Sequence, residues 1–162
     1  MRLIRLLDRA VGQIVSLGQW LVIPIVVLLF LQWPLRDVVR AWSREANDLG
    51  QWIFAFYVAV AVTAATRAKT HLTADTLARH YPVRWRDGLT RFGAAIGLVP
   101  WSLFILFSSR NIVWASLVGR EAFPDTFNPG YFLIKVALWV LALLALVEGL
   151  IDIVRPARPD AR

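Results

Sequence analysis

The sequence predicts an all-α integral membrane protein: four transmembrane helices with amphipathic interfacial helices. Three observations predict it. Apolar residues make up 58% of the 162-residue chain, with eight Trp, well above the share of an ordinary soluble domain. They gather in four runs long enough to cross a bilayer, and Lys and Arg fall in short clusters between those runs, as topology signals do.

Each span follows from length. A hydrocarbon core about 30 Å thick requires roughly 20 apolar helical residues, and four stretches qualify, at approximately 12–33, 48–66, 92–115 and 131–153. The first follows Arg2, Arg5 and Arg9 as in a secretory signal, but no small-x-small cleavage site follows "LLFLQWPLRD", so it is expected to be retained. The stretches outside the spans, approximately 1–11, 34–46 and 67–91, read as interfacial. In the second of these, Arg36, Arg40 and Arg44 recur every four residues opposite Leu35, Val38, Val39 and Trp42, the pattern of a helix lying flat on the membrane, with Pro34 in its first turn. In the third, Thr73 is suited to an N-cap with Asp75 in the positive first turn. Pro82 then ends that short helix, and Trp85, Leu89 and Phe92 share a face flanked by Arg84, Arg86 and Arg91.

Charge sets the direction. The N-terminal segment holds three basic residues, the 67–91 loop six and the C-terminal tail three, against six in the two remaining connections and their flanks. This places both termini and the middle loop in the cytoplasm. The net charge of +7 is thereby assigned to lipid headgroups and orientation, and nucleic acid is not an expected partner.

Candidate chemistry is sparse. The chain has no cysteine and two histidines, which removes disulfides, thiolate metal sites and Cys nucleophiles. His71 and His80 lack the third ligand or paired histidines that a metal or haem site requires, and no HExxH, phosphate-binding loop or GxSxG occurs. No cofactor, no metal and no enzymatic activity are expected. The midplane breakers Pro24 and Pro100 do not amount to a transport path. Charges within spans lie towards their ends: Arg110 is expected to approach the outer face, near Glu45, Asp48 and Glu121, and Glu148 and Asp152 to be solvated or paired with neighbours such as Arg155. Gly93 with Gly97, Ala55 with Ala59 and Thr63, and Ala145 with Gly149 are spaced for close helix packing, within the chain or against a partner.

These pieces resemble the small membrane subunit, the Q or DctQ-like subunit, of tripartite ATP-independent periplasmic (TRAP) transporters. The stretch "EANDLGQWIFAFYVAVAVTAATRAKTHLTAD" carries the resemblance, with Glu45, Trp52, Arg67, His71 and Asp75 in the places of an E…W…R…H-x-x-x-D pattern. The resemblance implies a bacterial inner-membrane scaffold subunit. It would brace a large membrane subunit that imports an organic acid or related solute with sodium, delivered by a periplasmic solute-binding protein, and would hold no substrate site itself. Two groups of residues follow as expectations: Arg67, Lys69, His71, Asp75, Trp52, Gly93 and Gly97 for docking or anchoring, and an outer-face group of Glu45, Asp48, Arg110 and Glu121 to receive the binding protein. The alternatives are a small integral membrane enzyme, which would need convergent acids, bases or metal ligands, and a self-assembling channel, which would need a polar pore stripe. Turnover or flux by the chain alone would favour them.

Overall fold

The computed structural model describes residues 2–38, 44–68 and 82–154. Within them the chain is helical, without strands. The helices are α1 (Arg2–Gly18), α2 (Val22–Asp37), α3 (Arg44–Ala68), α4 (Val83–Gly93), α5 (Val99–Val118) and α6 (Tyr131–Val154). Four runs among the described residues are long and apolar enough to cross a membrane: Arg2–Asp37, Arg44–Ala68, Arg91–Val118 and Tyr131–Val154.

Two prolines explain where these runs depart from regular α-helix. Pro24 has no N–H for the Trp20 carbonyl and its ring crowds that oxygen, and the chain answers with a 3-10 turn at Gln19–Leu21 between α1 and α2. Pro100 does the same to the turn before it. The π turn at Ala94–Leu98 lets the Val99 N–H reach the Ala94 carbonyl, so α4, the π turn and α5 follow one another without a gap.

Two expected boundaries differ. Residues 2–11 are continuous with the first span. Residues 34–37 finish α2, with Pro34 inside it and the Val38 N–H bonded to the Pro34 carbonyl. Pro34 has no N–H for the Phe30 carbonyl, and α2 ends within a turn of it. Arg44 already belongs to α3, so the expected 34–46 segment continues the flanking helices at its two ends, and residues 39–43 lie outside those described.

The helices pack in a definite register. Gly18 lies against Val60 so closely that a Cβ there would stand 2.5 Å from a Val60 methyl, and Val11, Val15, Val60 and Leu144 close the core between α1, α3 and α6. On the other side of α6, a Cβ on Gly149 would stand 2.9 Å from Val99, and the Trp139 indole donates to Ser109 of α5 at 2.9 Å. Thus α1–α2 runs antiparallel to α3, and α5 antiparallel to α6. Helix α6 is central: Ala137, Ala142, Ala145 and Gly149 are among its buried positions, so small side chains admit both neighbours where hydrophobicity cannot drive association.

Candidate functional site

Charged and polar groups collect at the two ends of this bundle. At one end stands Arg67, in the last turn of α3, where a cation complements the helix dipole. Its Nη1 donates to Glu148 of α6, and its Nη2 donates to the Asp8 carboxylate of α1 at 2.8 Å and to the Asp8 carbonyl at 3.4 Å. The Glu148 side chain is 5% exposed and that of Arg67 24%, so the pair lies inside the protein. The planar fork of arginine presents donors in fixed, divergent directions, so one guanidinium can address two carboxylates at once. One side chain therefore ties three helices together.

The other end is built on the connection from α5 to α6. Arg120 and Phe127 adopt positive φ, and the turn places the buried Phe123 edge-on to Tyr131, with ring centroids 5.5 Å apart. Gly130, at φ 152°, permits this closure: a Cβ there would stand 3.3 Å from Phe123 and 3.9 Å from Trp52. Asp48, buried in α3, accepts a hydrogen bond from the Thr126 hydroxyl. Glu121 accepts from the Lys135 ammonium and the Ser116 hydroxyl. The Lys135 hydrogen bond foremost, and that from Ser116 next, hold the Glu121 carboxyl below the usual carboxylate range. Lys135 also lies 5.4 Å from the Tyr131 ring centroid.

The residues expected for docking separate accordingly. Arg67 is engaged inside the chain. Lys69, His71 and Asp75 lie outside the described residues. Trp52 is half-buried beside Gly130, whereas Gly93 and Gly97 are exposed, and a Cβ on either would meet nothing within 4 Å. Ala59, Thr63, Ala145 and Gly149 are buried in the chain's own packing.

The expected outer-face group also divides. Glu45 is exposed in the first turn of α3, Asp48 joins Thr126, and Glu121 joins Lys135. Arg110 stands apart, exposed on α5, without a hydrogen bond or ion pair among the described residues. Sequence reasoning missed Asp8 and Thr126; it expected Glu148 to be solvated or paired with a basic neighbour such as Arg155, and the cation that the described residues supply is Arg67. A buried acid within a span demands a cation, and Arg67 was available at the end of another. Among the described residues no three His, Asp or Glu side chains are grouped to hold a metal ion.

The family model described as Tripartite ATP-independent periplasmic transporters, DctQ component, matches residues 20–158. The chain belongs to this family. No curated protein and no solved structure matches it. As a DctQ component with four membrane-length helices it is the small membrane subunit of a TRAP transporter, a multi-pass inner-membrane protein. The matched stretch includes Arg67 and Glu148, whereas Asp8 precedes it.

Proposed function

We propose that this subunit is a scaffold: it braces the large TRAP membrane subunit in a sodium-coupled, binding-protein-dependent importer of an organic acid or related solute, and holds no substrate itself. The observation that carries this reading is the use made of Arg67. The charge at the end of α3 is spent on Asp8 and Glu148, stiffening the bundle across three helices, as a brace against a moving neighbour requires. Both termini and the 67–91 loop face the cytoplasm in this reading, by the distribution of Lys and Arg. Lys69, His71 and Asp75, continuing the chain beyond Arg67, dock on the large subunit together with Trp52, Gly93 and Gly97. Glu45, Asp48 and Glu121 then lie on the periplasmic side, towards the binding protein, and lipids cover the remaining apolar surface.

Reconstitution tests it. Liposomes with the large subunit, this chain and the binding protein are expected to take up solute when a sodium gradient is applied, and liposomes without this chain to take up little. Full uptake without it, or solute flux through this chain alone, overturns the scaffold reading.

A further inference from the structure

The hydrogen bond from Trp139 to Ser109 sets the depth of the neighbouring Arg110. Trp139 lies nine residues before Glu148 on α6, so Arg110 stands about 14 Å along the bundle from the Arg67–Glu148 pair at the usual helical rise. Towards the other end, Ser116, which bonds Glu121, is six residues further along α5, a rise of about 9 Å. Arg110 thus sits within the apolar stretch of α5, short of either polar cluster.

Its surroundings sharpen the problem. Leu103, Phe107, Trp114 and Val118 form one exposed face of α5, with Arg110 on one flank of it and the exposed amide of Asn111 on the other. Ser109 faces α6, and Arg110, about 100° further round the helix, is exposed. At its closer end Glu121 is taken by Lys135 and Ser116, and Asp48 by Thr126. Snorkelling to lipid phosphate is opposed by geometry: helical side chains lean towards the helix N-terminus, and here that direction leads away from the nearer polar end, deeper into the apolar stretch. A guanidinium held there calls for a carboxylate at the same depth, and an amide beside it serves interhelical hydrogen bonding.

We infer that the Arg110–Asn111 face of α5 docks a transmembrane helix of a partner protein that presents an Asp or Glu at that depth, the carboxylate accepting from the Arg110 fork. The inference rests on the scaffold reading for the presence of a membrane partner, and adds which face meets it and by what chemistry.

The test co-expresses the full chain with the large subunit and measures how much large subunit is recovered with it from membranes, for the native chain and for R110Q, R110K and N111A. The native chain is expected to recover the large subunit. R110Q should lower recovery about tenfold or more, the consequence of removing one member of a buried charge pair. R110K should retain an intermediate amount and N111A lose less than R110Q, while all four chains purified alone melt at the same temperature. Native-like recovery with R110Q overturns the inference and leaves the scaffold reading standing. So does native-like recovery accompanied by loss of binding to phosphatidylglycerol vesicles, which would assign Arg110 to lipid. Failure of the native chain to recover the large subunit overturns the scaffold reading and the inference with it.

Discussion

Arg67 and Glu148, 81 residues apart in sequence, are joined by a charge-assisted hydrogen bond within the helical bundle. The two ions are unequally provided for. Arg67 keeps Asp8 if Glu148 is removed, but Glu148 has no other cation among the described residues if Arg67 is removed. Arg67→Ala should therefore destabilise the chain by about 3–5 kcal/mol, the range for orphaning a buried charge. Glu148→Ala should cost less, and the double replacement R67M/E148L should recover much of the loss, because apolar side chains of similar volume need no counter-ion. Equilibrium unfolding in detergent measures all three. Equal losses for R67A and E148A would show that the two ions are equivalently supported and would contradict this arrangement.

Gly18 and Val60 give a steric test. With 2.5 Å between a Cβ built at Gly18 and a Val60 methyl, Gly18→Ala should cost about 1–3 kcal/mol, as overpacking does. Adding Val60→Ala should relieve part of it. The melting temperatures of the two single variants and the pair decide: strict additivity would mean that these positions do not touch.

The buried Asp48 carboxylate accepts from the Thr126 hydroxyl. Thr126→Val removes the donor while keeping the shape, and should destabilise the chain by about 1–3 kcal/mol. Asp48→Asn, which keeps an acceptor oxygen without the charge, should be milder when combined with that change than Asp48 itself is. Unfolding midpoints of T126V and D48N/T126V provide the comparison.

The Glu121 carboxyl is held below the usual range by Lys135 and Ser116, which fixes the sign of its pH dependence. A carboxyl whose folded pKa is depressed contributes stability that is complete above its unfolded value, about 4.3 for Glu, and that fades as pH falls through the folded value. Stability of the native chain followed from neutral pH into acid should show a loss in that window that E121Q lacks, and K135Q should shrink it. Superimposable native and E121Q profiles would remove the contact from the account.

Much of the architecture was legible because membrane insertion is decided by local composition. "WLVIPIVVLLFLQW" and "YFLIKVALWVLALLALVEGL" are apolar over most of their length, and such segments must form helices in lipid to satisfy their own backbone. Helix ends were less legible. A proline beside a cluster of arginines reads equally well as the start of one helix or the last turns of another, and Pro34 lies inside α2. The glycines split in a way that spacing could not show: Gly149 meets Val99 within the bundle, while Gly93 and Gly97 open outward.

By itself, then, the sequence determined that this is an all-helical membrane chain with four apolar helices of spanning length, and its central motif already resembled the DctQ component whose family model it matches. Only the tertiary structure decided that Arg67 belongs to Asp8 and Glu148, 59 and 81 residues away, that Glu121 belongs to Lys135, and that Arg110 is left facing outward. Spanning depends on the hydrophobicity of a contiguous segment, which is a local sum. The pairing of charges depends on which helices are neighbours and in what register, and that is set by the close approaches at Gly18 and Gly149 and the turn at Gly130, contacts between residues that the linear pattern does not connect.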